Sequence, residues 1–183
     1  MTPFDPTCYP EAIAELWSID RLPELGPGTP NHSVRSKLES LRPETVSSHL
    51  LNREAALACL SGLWLYHDFL SESHTIGQDL HGWFGSYWHG IMHRREPDPD
   101  NAKYWLRRVG DNPVAKTLAA DAVELGVVLP GEKWGTFRFV DRCERVCGTN
   151  SEEERACRQV QRREMQLLFD WCYRAAVGPG TIT

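Results

Sequence analysis

No apolar run in the sequence approaches the ~20 residues that a bilayer-spanning helix needs, so no membrane span is expected. Surplus positive charge is missing as well. The formal net charge is −5 and the sequence pI about 5.8, which leaves no broad basic face and argues against general, electrostatically driven DNA binding. Metal-knuckle spacing is absent: the six cysteines, Cys8, Cys59, Cys143, Cys147, Cys157 and Cys172, contain no C-x-x-C pair and follow no small disulfide scaffold. They are read as buried free thiols, with a metal or cluster site from Cys143, Cys147, Cys157 and Cys172 as the alternative. The first residues, MTPFDPTCYPEAIAELW, lack the basic start and apolar core of a secretory signal, and the expected compartment is the cytoplasm. Internal repeats and low-complexity segments are lacking too.

What is there is an ordinary globular composition, 41% hydrophobic and 25% charged over 183 residues, enough for one core that buries roughly two-thirds of the unfolded surface. Proline divides it. Residues 1–43 carry Pro3, Pro6, Pro10, Pro23, Pro27, Pro30 and Pro43 with Gly26 and Gly28, which leaves room for one short helix, Glu11–Ile19, in an otherwise irregular arm. From Glu44 a helical texture begins. Ala56, Leu60, Leu63, His67, Leu70 and His74 recur in steps of four and three, predicting a central helix with both histidines on its buried stripe.

Gly77, Gly82 and Gly85 then interrupt the pattern. Further helices are expected over Trp83–Arg95, over Asn101–Val109 with Asp100 as cap and Gly110 as stop, over Val114–Leu125, and over Thr136–Cys147. The run VVLPGEKW, from Val127 to Trp134, is too short and broken to require a sheet. A last helix starts at the Ser151 cap with Glu152, Glu153 and Glu154, carries Cys157, Val160, Leu168, Trp171 and Ala175 on one stripe, and ends at Gly178-Pro179-Gly180. The fold class is therefore all-α: a single-domain irregular helical bundle, with a Pro-rich N-terminal segment at 1–43, a core at 44–178 and a tail at 179–183.

Chemistry-bearing residues concentrate between His67 and Gly110, where five of the seven histidines lie. His89 and His93, in WHGIMHRRE, stand four apart and so share a helix face, the spacing by which two imidazoles grip one ion. The zinc-protease pattern needs a glutamate directly after the first histidine; Gly90 occupies that position and excludes it. A further ligand is expected from the central helix. His67 and His74, seven apart and about 10.5 Å along an unbroken helix, cannot both reach one ion, so His67 is assigned to the metal with His89 and His93, and His74 to proton transfer. Glu96, one turn after His93, is the candidate carboxylate ligand or general base. Any of these histidines can equally be a hydrogen-bonded core residue.

A set of cations follows. Arg94 and Arg95 precede the turn, Lys103 and Arg107 share a face, and with Trp105 they form a candidate site for an anion carrying a ring that can stack. Pairing of these cations with Glu96, Asp98, Asp100 and Asp111 at the surface is the alternative.

The context LWLYHDFL around His67-Asp68 resembles the HD phosphohydrolases. That resemblance implies a metal held by His67 and Asp68 with an earlier histidine, His49, and a later aspartate, Asp121 or Asp141; Phe69-Leu70 departs from the small residue usual there. HGIMHRRE and NAKYWLRRVGDNP are similar to stretches of conserved bacterial and fungal proteins, a likeness that carries no activity.

These residues lead to the expectation of a hydrolase that uses a divalent metal, zinc, iron or manganese, on a phosphate-containing or other anionic small molecule. A non-catalytic binding module for a nucleotide, sugar or peptide, and a purely structural polar network, are the other two readings. Oligomeric state is left open.

Overall fold

The computed structural model describes residues 3–128 and 131–178, and among these the chain is all-α, with ten α-helices and no strand. In chain order they are α1 (Glu11–Trp17), α2 (Arg35–Ser40), α3 (Pro43–Val46), α4 (Arg53–Tyr66), α5 (Leu70–Gly77), α6 (Trp83–Arg95), α7 (Pro99–Val109), α8 (Pro113–Glu124), α9 (Thr136–Val146) and α10 (Glu152–Val177). The expected tail at 179–183, with the Pro179-Gly180 stop, and Leu129-Pro130 of the VVLPGEKW run lie outside the described residues. No described helix is long and apolar enough to cross a membrane.

Local signals set most boundaries. Asn52, Asp98, Asn112 and Ser151 each accept a hydrogen bond from a backbone N–H of the first turn that follows, and Pro99 and Pro113 occupy first-turn positions. Asp98, not Asp100, caps α7, because Pro99 starts the helix two residues before the expected site.

The predicted central helix is not continuous. Residues 47–52 separate α3 from α4, and the chain turns a corner at His67–Phe69 before α5 begins, with Asp68 at a left-handed φ of 65°. His67 and His74 therefore sit on different helices. In α10 the buried stripe runs through Cys157, Val160, Leu168, Cys172 and Ala176, whereas Trp171 is 41% exposed and Ala175 also faces solvent. Two steps of four from Leu168 reach Cys172 and Ala176; the expected steps of three and four, through Trp171 and Ala175, land on the outer face.

α4 and α6 form the centre. From Ala55 to Tyr66 every residue of α4 but Leu57 is buried, and every residue of α6 but Trp83. A helix so enclosed must place its polar side chains inside the protein as well, which is why α6 carries the chemistry. Gly62 lets the two helices meet: a Cβ there would lie 2.5 Å from Cζ2 of Trp88. The N-terminal segment joins the same core, with Ile13, Leu16, Trp17, Val34 and Leu38 buried beside α4 and α10 residues. A second apolar cluster links Leu25 to α8, α9 and α10 through Leu118, Phe139, Cys143, Cys157 and Val160.

Candidate metal centre

The corner at His67–Phe69 turns α5 back against α6, and Gly77, at the end of α5, lies beside the His89 ring, where a Cβ would sit in ordinary contact at 3.8 Å from Nδ1. Thus His74 on α5 faces His89 and His93 on α6. One potential ligand atom from each of the three lies within 4.8 Å of the others. The ring centroids of His74 are 4.8 Å from those of His89 and 5.6 Å from those of His93, while His89 and His93 stack at 4.8 Å, as their spacing of one helical turn requires.

α7 closes the other side. Gly90 makes that possible, because a Cβ at this position would come 2.6 Å from Cγ of Leu106. With α7 so close, Trp105 lies flat on His89, centroids 4.1 Å apart and planes 16° from parallel, and the side-chain amide nitrogen of Asn101 is 3.1 Å from Nε2 of His93. Glu96 Oε2 is 3.1 Å from Nδ1 of His93. The guanidinium of Arg108 covers the Trp105 ring at 5.4 Å.

Burial governs the charge of these rings. His89 has its pKa lowered to about 4, first by desolvation and then by the neighbouring His93 and His74. His93 is also lowered, chiefly by desolvation, although the Glu96 carboxylate works in the opposite direction. Both imidazoles are accordingly neutral at pH 7, and since Nδ1 of His93 meets Glu96 and Nε2 meets the Asn101 amide, an ion on His93 would take the place of one of these contacts. Nδ1 of His89 is buried without a hydrogen-bond partner. Three imidazoles so placed could hold a divalent transition ion.

The remaining site residues fall elsewhere. His67, completely buried at the α4 C-terminus, is not part of the three-histidine group; its Nδ1 lies 3.4 Å from the amide nitrogen of Asn31. Its expected place beside His89 and His93 is taken by His74, since the helix break puts the two histidines on different helices. Arg94 and Arg95 do not face the histidines either. Successive helical residues diverge by about 100°, and the guanidinium of Arg94 meets Glu164 of α10 at 2.5 Å while that of Arg95 meets Asp68 at 2.5 Å and donates to the carbonyls of Leu65, Gly26 and Pro27. Lys103 pairs with Asp141, and Arg107 lies over the Phe137 ring at 5.5 Å. Trp105 is the one of the five expected substrate-binding residues that reaches the cluster.

The aspartates that the HD resemblance implies are engaged in separate ion pairs: Asp68 with Arg21 and Arg95, Asp121 with Arg163, Asp141 with Lys103. The cysteines are free, and Cys59, Cys143, Cys157 and Cys172 are buried as expected, whereas Cys8 is half-buried and Cys147, which caps α9, is exposed. Asn101 was missed by sequence reasoning. Its only signal is its position just inside the helix that follows the Glu96–Asp98 turn, which gives no hint of contact with a histidine eight residues earlier.

No protein-family model, no curated protein and no solved structure matches the chain.

Proposed function

We propose that His74, His89 and His93 hold one divalent transition metal, zinc, iron or manganese, and that the chain is a metal-dependent hydrolase of a phosphate-containing or other anionic small molecule. The observation that supports this is the convergence of three imidazoles from two helices, two of them kept neutral by burial and one with an unpartnered buried nitrogen. A bound ion supplies Lewis acidity and lowers the pKa of coordinated water toward neutrality. The protein residues orient and buffer around it. Glu96 fixes the His93 ring through Nδ1 and, 40% exposed at its side chain, can also exchange a proton with solvent. Asn101 stands at Nε2 of the same ring, the nitrogen that would be given to the ion, and Trp105 stacks flat on His89 and shields it from water. Six free thiols fit a reducing, cytoplasmic setting.

Elemental analysis of the purified full chain tests the metal. About one zinc, iron or manganese per chain is expected, and His89→Ala or His93→Ala should remove it while leaving the helical circular dichroism signal intact. Hydrolysis of phosphate esters by metal-loaded protein, lost with a chelator and reduced on the order of 10²-fold or more in Glu96→Gln, tests the chemistry. Protein that purifies without metal and takes up none of the three ions would overturn the proposal. The burial of Arg94 and Arg95 in ion pairs removes two anion-binding groups and favours, as the second reading, a metal-containing binding module without turnover.

A further inference from the structure

A cleft of about 590 Å³ opens where residues 21–32 cross between the His67–Phe69 corner and α10, and none of the three clustered histidines lines it. The volume lies in the range of small-molecule sites, roughly 300–1,000 Å³. Its walls are charged. Arg21 and Arg158 stand there with Asp68 and Glu24, and both oxygens of Asp68 are already taken, Oδ2 by Arg21 and Oδ1 by Arg95 from behind the wall, while Arg158 has no carboxylate paired to it among the described residues.

Both lining guanidinium groups have donors to spare. Nε of Arg21 is buried and has no hydrogen-bond partner, although this group is always charged and an unpaired buried donor is costly. Arg158 donates Nε to the Pro23 carbonyl at 3.3 Å and one amino group to the Leu22 carbonyl, which fixes its plane and leaves the other amino group for an acceptor. Thr29, Asn31 and His32 add further polar groups to the lining. Beyond Leu22 and Arg158 the groove continues into a second hollow of about 330 Å³ that contains Arg155 and Ser151. Planar donor forks set around a cavity of this size are the arrangement that recognises phosphate.

We propose that this cleft binds a phosphorylated small molecule, with Arg21 and Arg158 on the phosphate and the Thr29–His32 wall against the rest of the ligand. The site shares no residue with the histidine cluster and stands or falls independently of a metal there. Titration calorimetry on chelator-treated full-length protein, with inorganic phosphate and with ribose 5-phosphate as probes and equal chloride as control, tests it. Saturable binding of both is expected, tighter for the sugar phosphate. Arg158→Gln should weaken binding at least tenfold, Arg158→Lys less, and His89→Ala not at all. Circular dichroism verifies that each variant is folded, and if Arg158→Gln is not, Arg158→Lys and Arg21→Lys decide. No saturable heat, unchanged binding in the arginine variants, or loss of binding in His89→Ala overturns the proposal. Binding of inorganic phosphate without the sugar phosphate overturns the small-molecule assignment.

Discussion

His93, Arg94 and Arg95 are consecutive in α6, yet they enter three environments. His93 joins two other imidazoles, with the part-exposed Glu96 as the carboxylate against it; Arg94 and Arg95 are buried against Glu164 and Asp68, each with an oxygen at 2.5 Å. The arginine side chains are spent on holding α6 to α10 and to the corner that turns α5. The three imidazoles are kept together, and His89 and His93 uncharged, by the helices those arginines anchor. One region is an ion-paired core, and the other gathers imidazoles that could take an ion.

Removing an arginine should break this comparison hardest. Arg95→Ala leaves Asp68 buried beside a lost partner and frees the carbonyls of Leu65, Gly26 and Pro27, for an expected cost of about 3–5 kcal/mol, read as a drop in the denaturation midpoint. Arg94→Met alone should cost as much, and Arg94→Met with Glu164→Leu much less, because the stranded carboxylate is then gone.

Acid should separate the two kinds of histidine. His67 has its pKa lowered to about 4, first by burial and then by Arg21. The unfolded chain takes up this proton near its ordinary value of 6.5 and the folded chain only near 4, so stability is full above that window and falls as pH is lowered through it. Up to about 3 kcal/mol is at stake for such a shift. Urea unfolding at pH 7, 5.5 and 4.5 should show the fall, and His67→Asn should flatten it. The His89 contribution has the same sign, but in metal-loaded protein it should track metal release.

Gly90→Ala probes how tightly α7 must sit. With Leu106 Cγ only 2.6 Å from the new methyl group, a loss of about 1–3 kcal/mol is expected, together with altered Trp105 fluorescence and weaker metal retention. Lys103→Ala lies at the small end. Its pair with Asp141 is solvent-exposed, so melting temperature and metal content should be almost unchanged.

Much of the architecture is legible in the chain itself. The all-α class, the limits of α6 and the starts of α8 and α10 follow from capping residues, prolines and a period near four. His89 and His93 could be paired from their spacing alone. The corner at His67–Phe69 could not be seen, because Leu63, His67, Leu70 and His74 continue a flawless helical stripe across it. It is secured from outside, by Asp68 in ion pairs with Arg21 and Arg95 and by the Asn31 N–H donating to the His67 carbonyl at 3.0 Å. These partners are 27 to 47 residues away in sequence.

Composition and periodicity by themselves determined that this protein is helical, that its polar chemistry is concentrated around one central helix, and that two of its histidines share a face. Only the tertiary structure decided that His74 replaces His67 beside them and that Arg94 and Arg95 serve the core. Helical geometry assigns each side chain a direction, but what waits in that direction depends on which distant segment has packed there.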